Sequence, residues 1–183
     1  MDRSAMVKAR QEPLYACYRE TPGKAWITDH ATASSFGSDP FHGVVFAGDG
    51  QASPLKFGIH RAVGGDHDLP NPGDLLCASL AACLDATLRM IAGRMSVELE
   101  SLEVSVSAFA DVRGCLMVDR GTPVGFQRIE ADVHIKAADG SDPAKVGALV
   151  SAAERSCVVL QTLRSNLPIE ARVSEPAARG IAK

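Results

Sequence analysis

The 183-residue sequence predicts a single α+β domain in which a long apolar helix packs against antiparallel sheet. Three observations lead to this prediction: one mostly apolar helical segment at the centre of the chain, two later segments in which apolar and polar residues alternate, and a second helix that begins at an Asp-Pro pair. A chain of this length buries roughly 70% of the surface that its unfolded form exposes. One core with a modest N-terminal extension is therefore expected.

The central helix has the clearest signals in the sequence. Asn71 is a helix-capping residue, Pro72 occupies the first helical position, and Asp74 places a carboxylate in the first turn, where it meets the positive end of the helix. Gly93 is a typical C-terminal stop. The intervening sequence is apolar nearly all round, and such a helix must be enclosed by protein on most sides.

The strands of the predicted sheet lie on both sides of this helix. Residues 102–113 and 128–136 alternate between apolar and polar side chains, which is the pattern of strands with one solvated face. Turn residues separate them at 120–123. Weaker strand candidates are residues 25–28, 44–47, 55–61 and 168–174.

The second helix is predicted from Asp142 and Pro143 to about Ser156, and residues 157–164 either continue it or form a short separate helix. Proline and glycine within residues 1–23 predict an irregular arm. The expected boundaries are a loosely packed N-terminal extension at 1–40, a domain at 41–175 and a tail at 176–183.

Composition excludes several classes of protein. A net charge of −3 and a pI of about 5.9 argue against a nucleic-acid or anionic-membrane partner, since both need a concentrated basic patch. The N-terminal residues include no apolar segment of the kind found in secretory signals. Asp85 and Arg89 favour a buried helix of a soluble protein over a membrane span for the central segment. We therefore expect a cytoplasmic location.

The five cysteines are Cys17, Cys77, Cys83, Cys115 and Cys157. Their spacing contains no Cys-x-x-Cys and no Cys/His cluster, so no structural zinc site is predicted. The sequence also has no phosphate loop and no dinucleotide fingerprint, and no cofactor is expected. In a reducing cytoplasm, a disulfide would be transient and chemical in purpose.

Three segments resemble the OsmC/Ohr family. The run NPGDLLCASLAACLDATLRMIA at 71–92 resembles the family's signature helix, and AAERSCVVLQTLRSNLPIEARV at 152–173 resembles its second-cysteine segment. Between them, PVGFQRIEADVHI at 123–135 is similar to the strand that separates the two helices in that family. The resemblance covers about residues 41–174.

The resemblance implies both an architecture and an activity. The architecture is an intertwined homodimer in which sheets from two subunits wrap around the long helices. The activity is reduction of organic hydroperoxides, and of hydrogen peroxide less well, with regeneration by a small or protein dithiol. On this resemblance, Cys83 is the peroxidatic cysteine and Cys157 the resolving one.

Two further site residues, Arg61 and Asp74, are predicted from the same resemblance. Arg61 is the best match for the arginine that activates the thiolate. The family's acid follows the Asn-Pro pair directly, but Gly73 occupies that position and Asp74 comes one residue later, a rotation of about 100° on a helix. Val158 stands where the family usually has proline.

Two other functions remain open at this point. In the first, the fold serves as a binding or structural module whose site has been dismantled by the changes at Gly73 and Val158. In the second, Cys83 is the nucleophile of a hydrolase or transferase, which requires a histidine such as His60 or His67 within hydrogen-bond reach of the sulfur. Cys17, Cys77 and Cys115 are interpreted as packing residues.

Overall fold

The computed structural model describes residues 3–35, 38–48, 53–138 and 141–173. The fold is α+β, as predicted. In chain order its elements are α1 (Arg3–Glu20), β1 (Ala31–Ser34), β2 (Gly43–Ala47), β3 (Leu55–Phe57), α2 (Pro72–Met95), β4 (Leu99–Phe109), β5 (Arg128–Ala137), α3 (Pro143–Ser156) and α4 (Val158–Arg164). The first three strands form one antiparallel sheet, and β4 pairs with β5 in another.

Helix α2 forms the centre of the core. Leu80, Leu84, Leu88 and Ala92 recur every four residues along it, and all four are buried. They pack with Leu149, Ala153 and Cys157, which recur at the same interval along α3 and just beyond its end. Because residues four apart lie on one helix face, the two buried stripes meet along the contact between α2 and α3.

The N-terminus of α2 is confirmed and its C-terminus is later than predicted. Asn71 is the N-cap, with Pro72 in the first turn. Gly93 does not stop the helix, which continues to Met95 and ends where Ser96 adopts a left-handed conformation with φ of 55°. Gly93 is instead buried near the end of the helix.

Strands β4 and β5 have the predicted faces. Leu102, Val104 and Val106 on β4 lie opposite Ile135, Val133 and Ala131 on β5. The apolar face of β4 covers α2, while the alternate residues of the strand are exposed. Strand β4 ends at Phe109 rather than at residue 113, because the chain turns at Asp111, where Gln127 Oε1 accepts the backbone N–H.

Three expectations for the first third of the chain need correction. Residues 25–28 form no strand; a 3-10 helix covers Pro22–Ala25 and the strand comes later, at Ala31–Ser34. Strand β3 ends at Phe57 instead of 61 because a 3-10 helix occupies Arg61–Val63. The arm predicted to be irregular contains α1. Strand β2 confirms the candidate at 44–47.

Helix α1 forms despite Pro13 in its interior. Its less exposed residues recur every three or four positions, which is one helical face, and α1 lies against α2. These residues are Ser4, Val7, Gln11, Tyr15 and Tyr18.

The C-terminal part decides between the two alternatives for residues 157–164 and differs from the prediction at the strand expected for 168–174. Helices α3 and α4 are separate and meet at Cys157 with a bend of 63°. Residues 168–173 are exposed and pair with no strand of the described chain, and residue 174 and the tail lie outside the described residues. By length and composition alone α2 could cross a membrane, as could α3 and α4 taken together, but α2 carries the buried core stripe.

Candidate active site

Cys83 lies on α2 beside the core stripe. It is half-buried and packs against the buried cluster that joins α2 to α3. One turn later, the hydroxyl of the buried Thr87 donates a hydrogen bond to the carbonyl oxygen of Cys83 at 2.7 Å. The local backbone around the thiol is therefore held by both the helix and this side chain.

Cys157 stands at the junction of α3 and α4 and is completely buried. Its backbone N–H donates to the carbonyl oxygen of Ala153 at 2.8 Å, which closes the last turn of α3. The bend between the two helices turns the chain at this residue. The Cys157 thiol therefore lies in the buried core, next to Leu149 and Ala153 of α3.

Cys83 packs against the buried cluster that contains Cys157. Burial raises the pKa of the Cys157 thiol, and the neighbouring Cys83 thiol raises it further. Backbone N–H groups of Leu160 and Val159 act in the opposite direction but do not cancel the rise in pKa. Cys157 is therefore a protonated thiol at neutral pH, in contact with the other cysteine that the resemblance had assigned to the site.

Arg61 is not part of this contact. It lies in the 3-10 helix Arg61–Val63 and is exposed. Among the described residues, no ion pair or side-chain hydrogen bond joins its guanidinium to a carboxylate or a thiol. The reason is its position after β3, because the sheet β1–β3 does not pack closely on α2 in the described chain.

Asp74 has a structural partner. Its Oδ2 accepts from the backbone N–H of Asn71 at 2.8 Å and from Asn71 Nδ2 at 2.6 Å. Asn71 Oδ1 in turn accepts from the backbone N–H groups of Gly73 and Asp74, which completes a capping box. Asp74 thus holds the N-terminus of α2, and a role for it in catalysis stays a prediction.

The histidines proposed for a hydrolase are occupied elsewhere. His60 Nδ1 accepts the backbone N–H of Ala62 at 3.0 Å, and the His60 ring packs edge-on against His67 with 4.4 Å between ring centroids. Within the described ranges, no hydrogen bond joins a histidine to Cys83 or Cys157. The hydrolase hypothesis therefore has no geometric support in the part of the chain described.

The family model described as OsmC-like protein matches residues 65–172, which is more than half of the chain and includes both interacting cysteines. The chain belongs to the OsmC-like family.

Solved structures agree with the family assignment. An organic hydroperoxide resistance protein OsmC from Legionella pneumophila, described as a predicted redox protein, is 25% identical with a TM-score of 0.57 over 78% of this chain and 93% of its own. An OsmC-like protein of unknown function from Vibrio cholerae has a TM-score of 0.62 at 12% identity, over 75% of this chain and 94% of its own. No curated protein sequence matches the chain.

One departure from the OsmC-like pattern has a steric explanation. A Cβ built on Gly73 would lie 2.9 Å from Asn71 Oδ1 and 3.0 Å from Cζ of Phe126. The Phe126 ring, which follows the loop between β4 and β5, therefore occupies the space that a side chain at position 73 would need. The other departure, Val158, is exposed at the start of α4, and the chain bends there without a proline.

A cavity of about 380 Å³ lies between α2, β5 and α4. Leu80 and Leu84, which precede and follow Cys83 on α2, contribute to its apolar wall together with Phe126 and Leu160. This volume falls within the range of about 300–1,000 Å³ that is usual for small-molecule sites. Among the described residues, no group of three or more His, Cys, Asp or Glu side chains is arranged so that it could hold a metal ion.

One charged cluster was missed at the level of sequence. His42 Nδ1 contacts Asp39 Oδ2 at 2.7 Å, and its Nε2 contacts Asp68 Oδ1 at 3.0 Å. A neutral imidazole has only one N–H, so both carboxylates are hydrogen-bonded only when His42 is protonated. This histidine bridge, defined by Asp39, His42 and Asp68, ties the segment before β2 to the loop that precedes α2.

The bridge predicts a pH-dependent contribution to stability. Hydrogen bonds with Asp68 and then Asp39 raise the pKa of His42 from 6.5, so its contribution is fully present below pH 6.5 and is lost as pH rises through the raised pKa. The pKa of Asp68 is lowered from 3.8 by His42, and that of Asp39 by the Phe41 N–H and then His42. Their contributions are present above 3.8 and are lost as pH falls through the lowered values.

We therefore expect His42→Gln to lower the melting temperature most between pH 3.8 and 6.5, and progressively less as pH rises above that window. The measurement is the melting temperature of wild type and variant across the pH range. His134→Gln, on the exposed face of β5, is the matched control. A difference for His42→Gln that is the same at every pH would contradict the prediction.

Proposed function

We propose that this OsmC-like protein is a thiol-dependent peroxidase that reduces organic hydroperoxides, and hydrogen peroxide less well, with Cys83 peroxidatic and Cys157 resolving. The observation that carries the proposal is the packing of Cys83 against the buried cluster that contains Cys157, at the junction of α2 with α3 and α4. A cysteine oxidised to sulfenic acid is protected when a second thiol can reach it. The Legionella relative, whose name includes organic hydroperoxide resistance, supports the choice of substrate.

The difference between the two cysteines supports their separate roles. Cys157 is completely buried and its pKa is raised, first by burial, so it is protonated when peroxide arrives. Only a thiolate attacks peroxide at a useful rate. Cys83 is half-buried and lies beside the apolar cavity wall formed by Leu80 and Leu84, where an organic group has room to bind.

The proposed reaction has three steps. The Cys83 thiolate attacks the terminal oxygen of the hydroperoxide, the O–O bond breaks, and the alkoxide takes a proton to leave as an alcohol. Cys157 then attacks the sulfenic sulfur of Cys83; its thiol proton leaves with the hydroxyl as water, and a disulfide forms. A dithiol reductant returns both cysteines to thiols and becomes a disulfide itself.

The homodimer is part of this proposal. The sheet β1–β3 has no extensive packing partner in the described part of its own chain. Residues 166–173 have no regular secondary structure, and Leu167, Ile169 and Val173 are 60%, 90% and 104% exposed. An apolar alternation of this kind is typical of a strand whose partner lies on another chain. A monomeric mass in sedimentation equilibrium at micromolar concentration would contradict the dimer.

The dimer also gives Arg61 a role. Its guanidinium has no described partner, and it sits at the end of the sheet that lacks packing within the chain. When that sheet docks on a second subunit, Arg61 is brought toward a neighbouring thiol and stabilises the thiolate by charge. Asp74 would then act indirectly, by holding the start of the helix that carries Cys83.

A non-catalytic binding module is the second candidate. It is favoured by the separation of Arg61 from the thiols and by the Phe126 ring against Gly73. One assay distinguishes the two functions. It measures the rate at which the pre-reduced protein, supplied with a dithiol reductant, consumes cumene hydroperoxide. The peroxidase predicts rapid turnover, faster than with hydrogen peroxide. A rate no greater than that of a free thiol would favour the binding module.

A further inference from the structure

A second cavity lies farther along α2, toward the C-terminus of the helix. It is an open cleft of about 450 Å³ bordered by α1, α2 and α3. Gln11 contributes the wall from α1, which lies outside the residues matched by the family model. This cavity therefore has one wall that the family resemblance does not cover.

The cavity lies on the same face of α2 as the peroxidatic cysteine. Cys83, Thr87, Met90 and Arg94 follow each other at intervals of four, three and four residues. Such spacing places side chains along one helix face, with about 16 Å between the Cα atoms of the first and last. The floor is apolar, formed by Met90, Ile91, Met95 and Ala152.

A chain of specific contacts joins helix α1 to the part of α2 that borders this cavity. The guanidinium of Arg94 lies over the Tyr15 ring at 4.9 Å from its centroid. The Tyr15 hydroxyl donates to Gln11 Oε1 at 3.0 Å, and Gln11 Nε2 donates to the sulfur of Met90 at 3.7 Å. Thr87 is not available to a ligand as a donor, because its hydroxyl already bonds to the carbonyl of Cys83.

Arg94 is the charged group at the rim. No carboxylate in the described ranges pairs with it, whereas the nearby Arg89 is paired with Asp85. The contact with the Tyr15 ring holds the guanidinium in place through its π face, and the guanidinium N–H groups have no carboxylate partner among the described residues. A planar guanidinium with free edges matches a carboxylate, to which it can donate two parallel hydrogen bonds.

We propose that the cavity between α1, α2 and α3 binds a small amphiphile, with its carboxylate on Arg94 and its hydrocarbon chain on the methionine-lined floor. Charge selects the head group, and the apolar floor selects the tail. Methionine side chains adapt to an irregular chain at small cost. Binding of the amphiphile requires neither Cys83 nor Cys157, so it can be tested independently of the peroxidase activity.

The experiment is calorimetric titration of the full chain with decanoate and, separately, with decanol. Decanoate should bind saturably, and decanol about tenfold more weakly because it lacks the charge. Arg94→Gln should remove this preference, and Arg89→Gln, the matched control on the same helix, should keep it. Cys83→Ser should bind decanoate as wild type does.

Methionine methyl resonances give a second readout that needs no Arg94 variant. Decanoate should shift the Met90 and Met95 signals and leave that of Met117, which lies in the exposed β4–β5 loop, unchanged. Equal affinities for decanoate and decanol, or a preference for decanoate that survives in Arg94→Gln, would overturn the proposal. The proposal would also be overturned if the Met90 and Met95 signals changed with protein concentration and not with decanoate concentration. That result would mean that a second copy of the chain occupies the cavity.

Discussion

Replacing Cys83 by serine is expected to lower the rate of organic hydroperoxide consumption by at least about a hundredfold, because the hydroxyl is not ionised at neutral pH and cannot act as the nucleophile. Serine is nearly the same size, and Cys83 is only half-buried, so the fold should be retained. The rate is measured with excess dithiol reductant, and the melting temperature is recorded on the same sample.

Cys77→Ser is the matched control for this variant. Cys77 is on the same helix and is also half-buried, and its pKa is raised by burial and then by the charge of Asp74. It lies about 240° around the helix from Cys83, on a different face. We expect the peroxidase activity of Cys77→Ser to stay near that of wild type. Undiminished turnover in Cys83→Ser would remove this residue from the mechanism.

Replacing Cys157 by serine should separate the first turnover from the later ones. Cys83 still attacks peroxide, so about one equivalent is consumed, but the sulfenic acid has no thiol to condense with. Steady-state turnover with a dithiol reductant should then fall, and Cys83 should progress to sulfinic and sulfonic acids under excess peroxide. Intact mass measured against peroxide concentration follows this progression.

The exposed Cys115 supplies the control for this second variant. Its thiol donates to the carbonyl oxygen of Val112 in the loop after β4, away from the paired cysteines. Cys115→Ser should keep both turnover and resistance to over-oxidation. If Cys157→Ser resists excess peroxide as well as wild type does, then another thiol resolves the sulfenic acid and the assignment of Cys157 is wrong.

Local signals made some elements predictable from the sequence. The capping by Asn71 and the position of Pro72 depend only on residues nearby in the chain, so the start of α2 was predicted correctly. Strands β4 and β5 followed from alternation alone, since one face must be apolar to cover α2. The proximity of Cys83 to the buried cluster that contains Cys157 had no local signal, because it depends on the packing of α2 against α3, and only the family resemblance indicated it.

Other features depend on contacts between distant segments and had no local signature. Helix α1 contains a proline and is stabilised by its contact with α2, including the stacking of Arg94 on Tyr15. The bridge from His42 to Asp68 joins residues 26 positions apart. Asp74 was assigned to the site from the resemblance, whereas its hydrogen bonds are those of a helix cap. The short strands near the N-terminus were misplaced because none of them alternates over enough residues.

The most direct test of the central claim is to treat the fully reduced protein with one equivalent of organic hydroperoxide and to map its disulfides by mass spectrometry. The account predicts a single intrachain disulfide between Cys83 and Cys157, formed at the expense of the peroxide, with Cys17, Cys77 and Cys115 still reduced. A Cys83 that remains a thiol, or that pairs with a cysteine other than Cys157, would contradict it.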